Sequence, residues 1–371
     1  MKNTIGNSVA VTLFGESHGS YIGAVLDGMA PGVTVDAEYI AHMLTLRRPS
    51  GKIATPRQEK DTFAIVSGVR NGRTTGTPIT ILIPNENTKS SDYTEMQTVA
   101  RPSHADYTAD CKYHGWQDTR GGGHFSGRIT AALVAAGAVC KSALEAKGIA
   151  IGTHVARCAG VDDRGFSADA LHADIRSLWD KLFAALDETA GAKMQDAILA
   201  AAAEGDSVGG VLETVVCGMP GGVGEPWFDT VEGMLSHMLF SIPAVKGVEF
   251  GAGFAISDMR GSAANDPMRV RDGKIITTTN HNGGIVGGIT NGMPILFRTA
   301  IKPTPTIFQP QDTVDFRTKT DTVLSPKGRH DPAIVHRARV VQDAVTAIVL
   351  CDALAMRYGT DFLCAEERTE I

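Results

Sequence analysis

The chain has 371 residues, of which 43% are hydrophobic and 20% are charged, and its formal net charge is −6. This hydrophobic content excludes an intrinsically disordered chain, and the length is sufficient for a sizeable hydrophobic core. The negative net charge argues against a nucleic-acid-binding surface, because binding to a phosphate backbone depends on a basic face.

Short apolar runs bounded by Gly, Pro or Asn predict β-strands. In chain order these runs occupy residues 9–13, 62–69, 78–84, 210–218, 248–254 and 294–300. Apolar residues at three- and four-residue spacing predict helices. The first helix begins after Asp36, a typical N-cap residue, and ends at Arg47-Arg48-Pro49. The other predicted helices cover residues 127–144, 168–186, 192–204, 229–240 and 339–354.

The order of these elements favours an α+β fold with antiparallel sheets. Strands 62–69 and 78–84 follow each other across a short turn, whereas a doubly wound parallel sheet would place a helix between them. Helix 127–144 is Ala-rich and apolar around its circumference, so we expect it to be buried on more than one side. The polar loops are short enough to be surface excursions, and we predict a single domain, 1–371.

The cysteine pattern predicts neither a disulfide framework nor a metal site. The six cysteines form no C-x-x-C pair. Cys111 and His114 form a C-x-x-H, but the sequence offers no second ligand pair nearby, so no metal is predicted. We also expect no signal peptide and no apolar run of transmembrane length. A cytoplasmic protein with no membrane partner and no nucleic-acid partner is therefore the expectation.

Four loops combine reactive side chains with glycine or proline. Phe14-Gly15-Glu16-Ser17-His18-Gly19 directly follows the first predicted strand. The other three loops join a cation to histidine: Arg101-Pro102-Ser103-His104-Ala105-Asp106, Arg120-Gly121-Gly122-Gly123-His124-Phe125-Ser126-Gly127-Arg128 and Lys327-Gly328-Arg329-His330-Asp331-Pro332. One such histidine is usually structural, but four favour proton transfer, because imidazole titrates near neutrality. Basic loops in an acidic protein indicate a small anionic ligand.

The loop at 120–128 precedes a predicted helix, so its backbone N–H groups and the positive end of the helix dipole suit an anion. It is not a nucleotide-binding motif. The chain has no G-x-x-x-x-G-K-[ST], and Gly121-x-Gly123-x-x-Ser126 lacks the last glycine of G-x-G-x-x-G. The segment around Ser17 also lacks the G-x-S-x-G elbow of serine hydrolases.

Two later segments suit a bulky anionic ligand. Residues 281–292 hold five glycines, and this bare backbone indicates either close approach of a flat ring or another chain, or a β-bulge with tight turns. Lys302-Pro303-Thr304-Pro305-Thr306 places a cation and two hydroxyl groups on a stiff loop that could grip a phosphate.

Eight segments in the same order resemble the motifs of the chorismate synthase family, over residues 5–335. They are three of the four loops above (14–19, 101–106 and 327–332), the triple-glycine segment Arg120-Gly121-Gly122-Gly123 of the remaining loop, Arg47-Arg48-Pro49, Gly205-Asp206-Ser207-Val208-Gly209-Gly210, Val245-Lys246-Gly247-Val248-Glu249 and Asn280-His281-Asn282-Gly283-Gly284-Ile285-Val286-Gly287-Gly288. The resemblance implies a β-α-β sandwich with helices packed between antiparallel sheets, assembled as a homotetramer.

The resemblance also implies the reaction. The family eliminates phosphate from 5-enolpyruvylshikimate 3-phosphate in an anti-1,4 sense to give chorismate, the last step of the shikimate pathway to aromatic amino acids. Its members are carbon–oxygen lyases that require reduced FMN without net redox change. Some members are bifunctional and reduce their own flavin with NADPH. No extra insertion of that kind is evident here, so we expect an external flavin reductase to supply reduced FMN.

Motif matching assigns residues to each role. The implied substrate-binding residues are Ser17, Arg47, Arg48, Arg101 and Arg128, with Arg329 also suited to the substrate. The implied FMN-binding residues are His124, Phe125, Ser126, Pro243, Ala244, Gly287, Lys302, Pro303, Thr304, Pro305, Thr306 and Arg329. The implied catalytic residues are His18, which would protonate the departing phosphate, His104, beside the flavin N1 side, and Asp331, for proton transfer at flavin N5.

One segment departs from the family pattern. The commonest family sequence after the triple glycine is Arg-Ser-Ser-Ala-Arg-Glu-Thr, whereas this chain has His124-Phe125-Ser126-Gly127-Arg128-Ile129-Thr130. In this chain, either backbone groups hold the flavin or another cation replaces the missing arginine. Phosphoryl transfer is the alternative enzyme class, although it should show a nucleotide-phosphate motif. A non-catalytic flavin- or anion-binding protein is the third hypothesis, and it has no use for His18, His104 and Asp331.

Overall fold

The computed structural model describes residues 2–51, 53–54, 60–86, 98–326 and 331–364. Within these residues the strands in chain order are β1 (Thr4–Ile5), β2 (Ala10–Gly15), β3 (Tyr21–Asp27), β4 (Ala64–Ser67), β5 (Val69–Arg70), β6 (Arg73–Thr74), β7 (Ile79–Pro84), β8 (Ala150–Cys158), β9 (Val161–Asp162), β10 (Gly210–Cys217), β11 (Val245–Phe250), β12 (Met268–Arg271), β13 (Lys274–Thr277), β14 (Ile285–Val286), β15 (Ile289–Thr290), β16 (Ile295–Ile301), β17 (Gln311–Asp315) and β18 (Thr320–Leu324).

The helices of the same residues are α1 (Ala37–Arg47), α2 (Asp106–Tyr113), α3 (Thr130–Ala146), α4 (Leu171–Ser177), α5 (Glu188–Ala203), α6 (Val231–Leu239), α7 (Gly261–Ala264) and α8 (Val335–Tyr358). Short 3₁₀ segments lie at Arg120–Phe125, Gly127–Ile129, Gly253–Asp258 and Thr360–Leu363. As predicted, Asp36 is the N-cap of α1, and its Oδ1 accepts hydrogen bonds from the backbone N–H groups of Glu38 and Tyr39.

Two antiparallel five-stranded sheets form the outer layers of the described structure. The first sheet has the order β1-β2-β3-β7-β4, and the second has the order β11-β16-β10-β8-β9. All pairings within both sheets are antiparallel. The prediction of an α+β fold with antiparallel sheets is therefore confirmed. The internal strands β3 and β8 were not predicted from the sequence. Their residues are buried along most of their length, so they lack a clear alternation of apolar and polar positions.

Helices α3 and α8 fill the space between the sheets. Helix α3 packs against β3 and β7 of the first sheet, and α8 packs against β8 and β10 of the second. The two helices cross where a Cβ atom added to Gly137 would lie 2.4 Å from the Cβ of Ala344. Small residues at this crossing let the two backbones approach closely. Nearly every residue of α3 is buried, as the sequence predicted.

Helix α3 also corrects one expectation. The segment Gly127–Ala146 has 20 residues and contains an 18-residue window with a mean hydropathy of 1.5, so by length and composition alone it could cross a membrane, whereas we expected no run of that length. However, 78% of its most apolar window is buried inside the protein. The segment is therefore the core helix of the sandwich. The main hydrophobic core, which this helix joins, has members from Val9 near the start of the chain to Leu363 near its end. The prediction of one domain stays a prediction.

For three of the predicted elements whose bounds differ, the structure shows the reason. The predicted helix 168–186 is wrong beyond Ser177, because the following segment docks on β8, where the Val155 N–H donates to the carbonyl of Ala184 over 2.8 Å. The predicted strand 62–69 is interrupted at Gly68, whose φ of 79° breaks the extended backbone. The predicted strand 248–254 begins at Val245 and ends at Phe250, before a turn at Gly251 with a φ of 56°.

Candidate active site

A cavity of about 840 Å³ opens between the two sheets, near the ends of α1, α3 and α8. This volume lies in the upper part of the usual range for small-molecule sites, about 300–1,000 Å³. The cavity wall contains most residues that the sequence assigned to a site: Arg47, Arg101, His104, His124, Phe125, Ser126, Arg128, Pro243, Ala244, Lys302, Thr304, Pro305, Thr306 and Asp331. Tertiary structure therefore brings together residues from six separate sequence motifs.

Other predicted residues do not line this cavity. Ser17 and His18 lie behind Gly121, which does line it. Arg48 turns away and donates to the carbonyl of Lys60 over 3.2 Å. Pro303 is exposed, and Arg329 lies outside the described residues. The roles predicted for these residues stay predictions.

Gly287 lies at the tip of the β14–β15 hairpin, apart from the cavity wall. A Cβ added there would meet nothing within 4 Å. In contrast, a Cβ on Gly284 would lie 2.5 Å from the carbonyl oxygen of Pro294, and one on Gly288 would lie 2.5 Å from that of Glu225. Within this chain the glycine-rich run therefore serves tight turns and close packing of backbone on backbone.

The triple glycine holds two histidines from separate loops against one backbone segment. Gly121, Gly122 and Gly123 have φ values of 61°, 86° and 53°, a region that side chains disfavour. A Cβ on Gly121 would lie 2.4 Å from His18 Nε2, and one on Gly122 would lie 3.4 Å from His104 Cε1. At Gly121 only bare backbone fits beside the His18 ring in its observed position, whereas the distance at Gly122 is an ordinary van der Waals contact.

Ser17 is also fixed by this loop. Its backbone N–H donates to the carbonyl of Gly123 over 3.1 Å. Its hydroxyl donates to the carbonyls of Arg120 and Gly121, each over 3.2 Å. Ser17 is completely buried, and these bonds hold the neighbouring His18 against the glycines.

His104 belongs to a compact charged group with Arg101 and Asp106. The Asp106 carboxylate accepts hydrogen bonds from Arg101 Nε over 2.8 Å and Nη2 over 2.7 Å, and it lies 2.9 Å from His104 Nδ1. Burial opposes ionisation of Asp106, but the hydrogen bonds from Arg101 and His104 outweigh it and hold the pKa well below its usual range. Asp106 is thus an ionised partner of two predicted site residues.

Asp61 joins two predicted substrate-binding arginines. Arg47 Nη2 donates to its Oδ2 over 2.8 Å, and Arg128 Nη1 donates to its Oδ1. Burial raises the pKa of Asp61, but the charges of Arg47 and Arg128 outweigh burial and lower it below the usual value. Arg128 also donates to the Asn85 side chain and to the Pro84 carbonyl.

Asp331 is held by Arg337, which also lines the cavity. Arg337 Nη1 donates to Asp331 Oδ2 over 2.6 Å, and Nε donates to the carbonyl of Arg47 over 2.9 Å. Burial and the nearby Arg47 lower the pKa of Arg337, although an arginine remains charged at any physiological pH.

Positive charge exceeds negative charge on the cavity wall. Arginines 47, 101, 128 and 337 pair with aspartates 61, 106 and 331, and Lys246 and Lys302 add further cations. Two groups of the wall have no hydrogen-bond partner within the described residues, namely Arg47 Nε and the buried hydroxyl of Thr304. These features suit an anionic ligand with several oxygen acceptors.

The loop that carries Thr304 is fixed to two other parts of the wall. The Lys302 N–H donates to the carbonyl of Ala244 over 2.9 Å, and its Nζ donates to the carbonyl of Ser103 over 2.6 Å. Ser207 Oγ donates to the Thr304 carbonyl over 2.7 Å. The predicted phosphate loop is therefore a preorganised part of the site.

The segment that departs from the family pattern has its own contacts. His124 Nδ1 lies 2.7 Å from the carbonyl oxygen of Gly15, at the end of β2. Phe125 is 40% exposed and meets Tyr113 edge to face. Ser126 Oγ accepts a hydrogen bond from the N–H of Arg128 and caps the following turn. His124 thus ties the triple-glycine loop to the first sheet.

Sequence reasoning missed Asp61, Asp106 and Arg337 as site residues. Asp106 is the last residue of the motif 101–106, and this position was the sequence signal that could have identified it. Asp61 lies 14 residues from Arg47 and 67 residues from Arg128, so no local pattern reveals the contact.

Comparison with known proteins identifies the family of the chain. A family model described as chorismate synthase matches residues 9–355. The chain is 45% identical to a chorismate synthase of Pyrococcus abyssi over 352 residues, covering 95% of this chain and 97% of that protein. It is 46% identical to a chorismate synthase of Aeropyrum pernix, covering 96% and 93% of the two chains.

A solved structure is similar as well. A crystal structure of chorismate synthase superposes with a TM-score of 0.76 and 31% sequence identity, and the match covers 96% of this chain and 94% of that one. The matched family model, the matched fold and the near-complete coverage show that the chain belongs to the chorismate synthase family.

Proposed function

We propose that this chain eliminates phosphate from 5-enolpyruvylshikimate 3-phosphate in an anti-1,4 sense to give chorismate, with reduced FMN bound and no net redox change. The substrate loses a ring proton and a C–O bond, and the products are chorismate and inorganic phosphate. The observation that carries the proposal is the convergence of Arg47, Arg101, Arg128, His104 and Asp331 on one cavity.

The substrate has one phosphate and two carboxylates, and the arginines of the wall supply matching charge. Planar guanidinium groups bind such anions through two parallel hydrogen bonds. Arg47 Nε is the clearest donor for this task, because it is buried and has no partner within the described residues. Asp61 and Asp106 hold the guanidinium groups in place before the substrate arrives.

Another part of the cavity wall, formed by the 302–306 loop and by apolar side chains, fits the phosphate and the ring of a flavin. Lys302, Thr304 and Thr306 offer a cation and hydroxyl groups on a fixed loop, and Ile242, Ala244 and Val341 provide an apolar wall. Reduced FMN, when bound, supplies transient electron density that helps phosphate to leave and then recovers it. The bulk of the two ligands and the apolar wall would exclude water from the reacting groups.

Three residues have proton-transfer roles in this proposal. His18 protonates the departing phosphate, and its ring is held at Gly121, on the cavity wall. His104 acts beside the flavin N1 side, and Asp331 serves proton transfer at flavin N5. Both side chains line the cavity, and each is held by a charged neighbour: His104 by Asp106 and Asp331 by Arg337.

We also propose a cytoplasmic homotetramer that takes reduced FMN from an external flavin reductase. Aromatic side chains with large exposed areas support assembly, notably Trp227 at 90%, Phe228 at 86% and Phe254 at 83%. A Gly287 contact with flavin would also need more than the cavity of a single chain. NADPH-dependent turnover by the pure protein in air would instead place the chain among the bifunctional members.

The test is phosphate release and chorismate formation from 5-enolpyruvylshikimate 3-phosphate under strict anaerobiosis. Dithionite-reduced FMN is the active condition, and oxidised FMN is the control. We expect turnover only with reduced flavin. Flavin binding without turnover would contradict the proposed reaction and direct attention to the segment His124–Thr130.

A further inference from the structure

We propose that Asp106 is a positioning residue for His104: its carboxylate selects the Nδ1–H tautomer and fixes the ring so that Nε2 is presented to the cavity. The assignment of chemistry to His104 rests on the proposed function. The positioning itself rests on geometry, and no comparison assigns a role to Asp106.

The first step of the argument is the number of contacts that converge on one carboxylate. Asp106 Oδ2 accepts from the backbone N–H of Arg101 over 2.9 Å and from its Nε over 2.8 Å. Oδ1 accepts from Arg101 Nη2 over 2.7 Å and lies 2.9 Å from His104 Nδ1. The carboxylate therefore has one defined orientation relative to the imidazole ring.

The second step concerns the proton on His104 Nδ1. Both Arg101 Nη2, at 3.0 Å, and Asp106 Oδ1, at 2.9 Å, lie near this nitrogen. An Nδ1 lone pair would face the negative carboxylate oxygen, whereas an Nδ1–H donates to it. Arg101 Nη2 has two hydrogens and could give the second to a bare Nδ1, but that arrangement would leave the Nδ1 lone pair 2.9 Å from the negative Oδ1. The Nδ1–H tautomer avoids this repulsion and gives the carboxylate a second donor.

The third step is the position of the opposite ring edge. His104 lines the cavity, and its Cε1 and Nε2 atoms lie 3.4 and 3.7 Å from the point where a Cβ on Gly122 would stand. With Nδ1 bound to Asp106, Nε2 is the ring nitrogen left to take a proton, and it belongs to a side chain that lines the cavity. Asp106 does not line the cavity among the described residues, so it acts through its neighbours.

Further hydrogen bonds fix the loop that carries Arg101 and His104, and they maintain the arrangement of these two side chains. The His104 N–H donates to the carbonyl of Arg101 over 3.1 Å. Ser103 adopts a φ of 58°, and its carbonyl accepts a hydrogen bond from Lys302 Nζ. The turn thus connects the His104 ring to the predicted phosphate loop.

The test compares the isosteric variant Asp106→Asn with Asp110→Asn, which removes a carboxylate one turn later on the same helix and away from the cavity. Long-range ¹H–¹⁵N spectra of the flavin-free protein report the tautomer, with the His104 signal identified by its loss in His104→Ala. We expect Nδ1–H in the wild type and in Asp110→Asn, and a shift towards Nε2–H in Asp106→Asn.

Turnover provides the second readout. Loss of the correct histidine tautomer in a hydrolytic triad costs about 10⁴-fold in kcat, and we expect Asp106→Asn to lower kcat by roughly 10²–10⁴-fold. In the His104→Ala background the same substitution should change kcat by less than about 3-fold, since its effect passes through His104. An equal loss in both backgrounds would show that Asp106 acts only through Arg101 and would overturn the proposal.

The spectra keep the two proposals distinguishable. A wild-type His104 in the Nε2–H form, or an unchanged Nδ1–H form in Asp106→Asn, overturns the positioning role whatever the turnover. If the tautomer shifts as expected but the wild type produces no chorismate, the proposed reaction fails and the positioning role stands. The wild-type spectrum remains a test even if Asp106→Asn does not fold, because an Nε2–H form there overturns the proposal.

Discussion

Arg337 donates a hydrogen bond to Asp331 over 2.6 Å and so ties the first turn of α8 to a carboxylate on the cavity wall. The same guanidinium bonds to the Arg47 carbonyl at the end of α1. One side chain therefore sets the distance between a predicted proton-transfer residue and a predicted substrate-binding residue.

Arg337→Ala should lower kcat by about 10²-fold, because small misplacements of catalytic groups cost that much. Arg337→Lys should recover little, since a single ammonium group cannot make both bonds in the same geometry. Arg357→Ala, at the exposed end of α8, is the matched control and should retain activity. Steady-state kinetics under anaerobic conditions measure all three; unchanged kcat in Arg337→Ala would contradict the role.

Gly121→Ala should reduce both stability and activity. The left-handed conformation costs a side chain roughly 1–2 kcal/mol, and the new Cβ would stand 2.4 Å from His18 Nε2. Gly148→Ala is the control, because Gly148 has a φ of 77° but open space around it. We expect both variants to lower the unfolding free energy, measured by urea titration, and only Gly121→Ala to lose turnover. Equal turnover in the two would show that His18 adjusts freely.

Asp61→Asn should destabilise the protein by about 3–5 kcal/mol, because it leaves buried arginines without their shared anion. The pKa of Asp61 is lowered in the folded state, below 3.8. The ionised Asp61 carboxylate therefore contributes fully to the free energy of unfolding when the pH is above its pKa in the unfolded chain. This contribution is lost as the pH falls through its pKa in the folded protein.

The pH dependence separates this ion pair from a simple packing defect. The wild type should lose unfolding free energy more steeply than Asp61→Asn as the pH falls from about 4 towards 2. Urea titrations at pH 7 and across the acidic range measure the difference. Parallel pH profiles for the two proteins would show that Asp61 carries no linked charge.

Gly137→Ala should destabilise the protein by about 1–3 kcal/mol through overpacking, because the added methyl would stand 2.4 Å from the Ala344 Cβ. Gly261→Ala is the control: it adds the same methyl group where the structure leaves open space. Thermal and urea unfolding should distinguish the two variants. Equal stability would mean that α3 and α8 can separate at no cost.

The sequence by itself determined the family, the antiparallel α+β class and the loops that carry the site. The signals for these are local: Asp36 caps α1 through residues two and three positions later, and the triple glycine has the left-handed backbone that glycine favours. Apolar composition also predicted the burial of α3. Interactions between near neighbours leave a pattern that can be read without coordinates.

Only the tertiary structure decided which of those loops meet. The contact of Asp61 with Arg128, 67 residues away, and the bond from Arg337 to the carbonyl of Arg47, 290 residues away, have no local signature. Docking of the Ala184 segment on β8 likewise ended a predicted helix at Ser177. These outcomes depend on burial and on the pairing of distant charges, because a buried arginine or carboxylate is stable only beside the partner that the fold delivers.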